Sequence, residues 1–199
     1  MGSYSSLLTK SQDSYILGLW GADKYVRTSS IGLSNTNLLL INRFAGFLIS
    51  RFPKDRLRLR IYGNEVPENF EGTKSTFCKG SKNKKPAFHI YVNCRPLVRE
   101  FVFALGNRSL LQGESVYSYF AGRFDGDGSI SVDTKGAKFC RIVYGNLKDL
   151  QKDRVLLNNV KTSVYRYRRA GTYCLYFSTE TLNKFLERIS PYLVSSKLI

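Results

Sequence analysis

Apolar and polar positions follow two different periods along this chain, and the changes of period mark its elements. Arg56-Leu57-Arg58-Leu59-Arg60-Ile61 alternates at period two, basic on one face and apolar on the other, which predicts a half-buried strand. Val164-Tyr165-Arg166-Tyr167-Arg168 alternates in the same way, with arginines on one face and tyrosines on the other. It turns through Arg169-Ala170-Gly171 into Tyr173–Phe177, the pattern of a hairpin. Further β-rich stretches run from Tyr25 to Ser34, from Ser129 to Val132 and from Lys138 to Tyr144. Helical patterns open at Asn35-Thr36-Asn37 and at Asn146-Leu147-Lys148-Asp149, and asparagine and aspartate suit helix N-caps there. Amphipathic helices are predicted over Arg95–Leu105 and Thr181–Ile189.

The succession occurs twice. Tyr15-Ile16-Leu17-Gly18-Leu19-Trp20-Gly21-Ala22-Asp23 lies over Tyr119-Phe120-Ala121-Gly122-Arg123-Phe124-Asp125-Gly126-Asp127 at a constant offset of 104 residues. Tyr, Gly and Asp recur in place, while Gly21 faces Asp125 and Leu19 faces Arg123. Each copy is followed by two strands, a helix, two strands and a helix, so the chain reads as two αββαββα halves of an α+β fold. The boundary falls near Gly106–Gly113, dividing the chain into 1–108 and 109–199. Residues 63–86 of the first half are rich in Lys, Gly, Ser and Asn and read as a long loop between strands, either a disordered insertion without a role or a DNA-contacting loop.

Charge narrows the class of partner. Thirty-one Lys and Arg against fifteen Asp and Glu give a net charge of +16. Such an excess repels itself unless a polyanion is the usual partner, so nucleic acid comes first and a ribosomal or membrane-surface protein second. Four scattered cysteines and one histidine, His89, make a zinc site improbable; the thiols read as buried and free. The longest apolar run, Leu38 to Ile49, is interrupted by Asn42 and Arg43 and is too short to span a bilayer. The N-terminal residues lack a signal pattern, and the chain is expected to be intracellular.

The duplicated aspartates carry the candidate chemistry. Small residues at Gly18, Ala121 and Gly122 let two helix backbones approach closely, so the two copies are expected to pack about a pseudo-twofold axis. Asp23 and Asp127 then end side by side, where two carboxylates repel unless a divalent cation is present. Oxygen ligands favour Mg²⁺ over zinc, and paired metals can stabilise both the attacking water and the leaving oxygen of a phosphodiester. A calcium loop beginning at Asp125 fails on spacing, since position 6 is Ile130 and position 12 is Gly136. The alternating arginines suit a basic antiparallel surface in a DNA major groove, with arginine on guanine the commonest specific contact.

"FAGRFDGDG" resembles the signature of the LAGLIDADG homing endonucleases, and "ILGLWGADK" resembles a diverged first copy. The likeness covers the chain apart from residues 63–86 and the extreme N-terminus. It implies a single-chain, monomeric member with two saddle-shaped antiparallel sheets and a central pair of motif helices. Such a protein straddles a long asymmetric duplex and cuts both strands across the minor groove, leaving 3′ overhangs. The resemblance puts Asp23 and Asp127 at the metal-binding position of each motif, with the carbonyls of Ala22 and Gly126 completing the shells. It implies two or three Mg²⁺ ions, with Mn²⁺ able to substitute and Ca²⁺ binding without turnover. Asp125 takes the family's structural aspartate position.

By the same resemblance, Asn35, Asn146 and Arg95 match polar and basic positions around the metals, although helix capping explains both asparagines equally well. Glu180 stands where the second half would repeat Arg95. Arg27, Arg56, Arg58, Arg60, Lys138, Arg166 and Arg168 are the candidate DNA contacts. Two departures from the family pattern are Gly21, where an acid is common, and Lys24, where glycine is usual. The family also contains maturases that bind host intron RNA, and a non-cleaving DNA-binding regulator is a third reading. An organelle (mitochondrion or chloroplast) and a prokaryotic cytoplasm fit equally.

Overall fold

The structure, a computed structural model, describes residues 6–27, 29–63, 70, 72–78, 86–158 and 160–195; of residues 25–27 it describes the backbone alone. A short helix α1 (Ser6–Thr9) leads into α2 (Ser11–Asp23), followed by β1 (Lys24–Arg27), β2 (Ser30–Asn35), α3 (Leu38–Ile49), β3 (Arg58–Tyr62), β4 (Lys74–Phe77), β5 (Ala87–Asn93) and α4 (Arg95–Gly106). The second succession is α5 (Glu114–Asp127), β6 (Gly128–Val132), β7 (Lys138–Tyr144), α6 (Leu147–Leu156), β8 (Ser163–Tyr167), β9 (Thr172–Phe177) and α7 (Thr179–Ile189). The mixed α+β repeat legible in the sequence is the repeat of the fold. Among the described residues no helix is long and apolar enough to cross a membrane.

The chain forms two compact units, residues 23–102 and residues 1–22 together with 103–199. In the first, β1-β2-β5-β3-β4 form a five-stranded sheet. Helix α3 starts at an N-cap, Asn37, whose side chain accepts from the Leu39 amide. It buries Leu40, Ile41, Phe44, Ala45, Phe47 and Leu48 at helical spacing. Leu33, Ile90 and Leu59, opposed in one row across β2, β5 and β3, are fully buried. Phe101 of α4 meets Phe47 edge to face at 5.5 Å.

In the second unit, β6-β7-β9-β8 form a four-stranded antiparallel sheet. Its buried face carries Cys140, Ile142, Leu175 and Phe177, and Phe177 stacks on Phe185 of α7 at 4.0 Å. Helices α2 and α5 are buried through most of their length, from Ser14 to Trp20 and from Ser118 to Asp125. Neither shows a polar stripe, as expected of helices enclosed on all sides.

Two elements differ from the sequence reading. Strand β3 begins at Arg58, because Lys54–Arg56 close a 3-10 turn after Pro53 and carry Arg56 out of the alternating ladder. Residues 63–86 are not wholly a loop: Lys74–Phe77 form β4, which pairs parallel to β3 at the sheet's edge. All four of its residues are exposed, so no apolar alternation marks it in the sequence.

Candidate catalytic acids and nucleic-acid interface

The motif helices meet at their glycines. A Cβ at Gly18 would lie 1.9 Å from the Tyr119 carbonyl oxygen, and one at Gly122 would lie 2.1 Å from that of Tyr15. The two contacts are related by the repeat, and only glycine fits either. The helices run in the same direction: near their N-terminal ends the Ser115 hydroxyl donates to the Thr9 carbonyl at 3.3 Å and the Ser118 hydroxyl to that of Ser11, while Gly21 faces the Arg123 side chain. Ala22 and Asp127 therefore leave the same end of the pair.

The aspartates of α5 occupy different environments. Asp125 is 1 % exposed and accepts hydrogen bonds from the Tyr15 hydroxyl at 2.7 Å, the Val194 amide at 2.8 Å and both the amide and hydroxyl of Ser195. It ties both motif helices to the C-terminal segment. Asp127, two residues on, has a side chain 31 % exposed at the helix terminus, next to half-buried Gly126. The exit needs Gly128, because a Cβ there would lie 2.3 Å from the Phe124 ring.

Behind Asp127 lies a buried polar cluster that the sequence did not reveal. The Arg123 guanidinium reaches Asp127 at 4.0 Å and Asp153 at 3.5 Å, and sits 4.4 Å over the Tyr144 ring. The Tyr119 and Tyr144 hydroxyls donate to Asp153 at 3.1 and 2.9 Å, and Arg108 pairs with Asp153 and Asp149. Burial opposes the charge of Arg123, but Tyr144, Tyr119, Asp153 and Asp127 hold its pKa above the usual guanidinium value. Burial, and then the Asp153 charge, push both tyrosines well above their ordinary value against the pull of the arginines. A hint was available in Arg123 standing where the first motif has Leu19, since a charge on an enclosed helix requires a partner.

In the other unit Asp23 ends α2 half-buried, and its Oδ2 accepts from the Asn35 side-chain amide at 2.7 Å. Asn35 is the last residue of β2, and its Oδ1 accepts from the Asn37 amide. Asn146 is placed otherwise: it caps α6, accepting from the Asp149 amide at 2.9 Å and donating to the Asp149 carboxylate at 2.8 Å. Register explains the difference. Lys24 opposes Leu33 and Gly128 opposes Ile142, which makes Asn37 the counterpart of Asn146 and Tyr144 the counterpart of Asn35. Arg95 is exposed at the first position of α4, and Glu180 is exposed in the first turn of α7.

Directly opposed residues share a sheet face. On the outer face of the sheet of residues 24–93, Arg58 opposes Tyr91 and Lys74, and Arg60 opposes His89 and Thr76. Arg56 donates to the Asn93 carbonyl from its 3-10 turn, and the Arg27 side chain lies outside the described residues. The other sheet distributes its charges differently. Arg166 opposes Tyr173 and shares the helix-side face with Tyr144. Lys138 is on that same face at the strand's end, and Arg168 lies in the β8–β9 turn. The outward residues include Phe139, Tyr165, Tyr167 and Tyr176 among serines at 129, 131 and 163, with one arginine that the alternation did not single out, Arg141.

A closed metal cage is not present: among the described residues no three His, Cys, Asp or Glu side chains are grouped as ligands. The half-exposed carboxylates at helix ends fit the other type of site, in which Mg²⁺ takes one or two protein carboxylates and completes its shell with water and substrate phosphate.

No family model matches the chain, and no curated protein does. Solved structures do. I-DmoI in complex with DNA and Mn is 19 % identical, with a TM-score of 0.61 over 90 % of this chain and 96 % of that one. The homing endonuclease I-WcaI, bound to its DNA recognition sequence, is 13 % identical, with a TM-score of 0.63 over 98 % and 90 %. The N-terminal LAGLIDADG domain of DUF199/WhiA is 18 % identical, with a TM-score of 0.55 over 94 % and 82 %. The chain has the LAGLIDADG homing-endonuclease fold, with both motifs in one chain.

Proposed function

We propose that this chain is a divalent-metal-dependent DNA endonuclease that makes double-strand breaks in a long asymmetric site. The observation that carries the reading is the glycine-mediated, same-direction packing of α2 and α5. It brings Ala22 and Asp127 to one end of a helix pair, and Asp23 follows Ala22 directly. Fold alone does not make a nuclease; the retained acid at the end of each motif helix is the reason to infer cleavage. The solved relatives support the metal and the partner, since I-DmoI structures hold DNA with Mn, Mg or Ca.

Asp23 and Asp127, with the main-chain oxygens of Ala22 and Gly126, would hold the ions, and Mg²⁺ suits this all-oxygen set. When bound, such ions supply an activated water and a counter-charge for the leaving oxygen. The protein's own groups orient that chemistry. Asn35 fixes the rotamer of Asp23 through its amide, and Arg123 plays the corresponding part for Asp127 from within the buried cluster. Arg95 lends positive charge from the start of α4. Arg58 and Arg60 read base edges, while Arg27, Arg56, Lys138 and Arg168 neutralise phosphates, which sets position rather than sequence. Two motifs in one chain allow a monomer to cut both strands, leaving 3′ overhangs.

Cleavage of a randomised duplex library in Mg²⁺, with the cut ends sequenced, tests the reading. Enrichment of one asymmetric site with staggered 3′ ends supports it. Failure to cut any duplex, together with tight binding to a structured intron RNA, would replace it with a splicing role.

A further inference from the structure

We propose further that the half-site taken by the sheet of residues 128–177 is thymine-rich, and that Tyr165, Tyr167, Tyr176 and Phe139 recognise it through the thymine methyl groups. This rests on the DNA-binding reading above and adds a chemical preference to one half of the site.

Leu33–Ile90–Leu59 and Ile142–Leu175–Val164 are the corresponding helix-side rows of the two sheets, so outward positions can be compared one by one. Arg58 corresponds to Ser163, Arg60 to Tyr165 and Tyr62 to Tyr167, while Gly32 corresponds to Arg141. The repeat keeps the backbone and the rings at Tyr62/Tyr167 and Tyr91/Tyr176, exchanges the Arg60 guanidinium for the Tyr165 phenol, and replaces Arg58 by a serine. On the first sheet Arg58 and Arg60 stand beside Lys74, a donor set for the O6 and N7 acceptors of guanine.

On the second sheet three of the rings are in contact, and Arg141 links them to Tyr167. Phe139 stacks on Tyr176 at 5.1 Å, and Tyr165 meets Tyr176 edge to face at 5.4 Å. Tyr165 and Tyr167 remain 53 % and 46 % exposed. Exposed aromatic area on a folded sheet is costly unless a partner covers it. The Arg141 guanidinium is partly committed, donating to the Ser129 hydroxyl at 3.1 Å and the Tyr167 hydroxyl at 3.3 Å. Lys138 at the end of β7 and Arg168 in the β8–β9 turn sit at the margins of this sheet, where they suit the phosphates flanking a groove. In a duplex major groove the thymine C5-methyl is the apolar feature that such rings can cover. Base faces are stacked within the duplex and closed to the rings, so the surface would have to stack on bases only in a single strand.

Binding selection with the full chain on randomised duplexes, in Ca²⁺ to hold the complex uncut, followed by deoxyuridine replacement of thymines in each half, tests this. Deoxyuridine removes the methyl and nothing else. We expect one half to enrich for thymine and to lose about fourfold in affinity per contacted methyl, the worth of one buried carbon. Tyr165→Ala with Tyr167→Ala, both exposed and so compatible with folding, should bind thymine and deoxyuridine sites alike; Arg60→Ala should relax only the opposite half. Specific duplex binding with no deoxyuridine effect overturns the inference and leaves the DNA reading intact. Tighter binding to single strands than to any duplex overturns it in favour of base stacking. No selected duplex at all overturns the DNA reading itself.

Discussion

The side-chain amide of Asn35 donates to the Asp23 carboxylate at 2.7 Å, whereas the residue in the same register beside the second motif is Tyr144, whose hydroxyl is spent on Asp153. Asn35 thus acts on a motif acid, and Asn146, which resembles it in sequence, acts on a helix end. Asn35→Ala should slow cleavage about 10- to 100-fold, the usual effect of removing a partner that orients a metal-binding carboxylate. DNA affinity should change little. Asn146→Ala should instead cost about 1 kcal/mol of stability, as loss of an N-cap does, with cleavage preserved. Rate measurements and denaturant titrations on both variants separate the two roles, and equal effects on cleavage would contradict the assignment.

The close approach of α2 and α5 tolerates no side chain. Gly18→Ala puts a carbon at 1.9 Å from the Tyr119 carbonyl oxygen, and relief requires the helix backbones to separate. The expected loss is about 3 kcal/mol, at the upper end for overpacking. A shift in the urea midpoint with unchanged slope is the readout. Gly46→Ala, in open space on α3, is the control and should be neutral or slightly stabilising.

The cluster around Asp153 makes stability sensitive to alkali. Tyr119 and Tyr144 are raised well above their ordinary value of 10.0, and burial pushes the Cys140 thiol up to about 12 from 9.0. A raised folded pKa contributes stability that is fully present below the unfolded pKa and lost as pH rises through the folded one. Stability should therefore hold to about pH 9 and fall steadily above about pH 10. Denaturant midpoints between pH 7 and pH 11 measure this, and Tyr144→Phe, less stable at neutral pH, should show a shallower alkaline fall.

With a net charge of +16, phosphate contacts should dominate DNA affinity. The logarithm of affinity should fall linearly with the logarithm of salt concentration. Lys138→Ala or Arg168→Ala should each reduce the slope by about one without altering the preferred site. A flat salt profile would contradict the basic-sheet account.

Much of this was legible in the chain. The repeat is written by small and apolar residues that serve one purpose in both copies, helix contact at Gly18 and Gly122, so its spacing survives. Strand β4 was hidden because an edge strand exposed on both faces carries no alternation. The facing of Arg166 was misleading for a related reason: alternation gives two faces but does not say which is buried, and on β8 the exposed tyrosines face outward. The Asp153 cluster left one trace in the sequence, the charge of Arg123 on an enclosed helix, and its other members could not be named from it. It joins Arg108, Tyr119, Arg123, Tyr144 and Asp153, which no local pattern connects. Asn35 and Asn146 looked alike because each stands near a helix start, and only strand register shows that they differ by two positions.

Joint action of the two motif acids is tested by substituting each of them singly. Asp23→Asn and Asp127→Asn preserve side-chain size, and Asp127 lies half-exposed at a helix end, so both variants should fold and bind the selected duplex within a few-fold of the parent chain. Each variant is expected to lose double-strand cleavage of a supercoiled plasmid carrying that site, and Mn²⁺ bound per protein–DNA complex, counted by electron paramagnetic resonance, is expected to fall. Unchanged double-strand cutting and unchanged Mn²⁺ binding in either variant would contradict it.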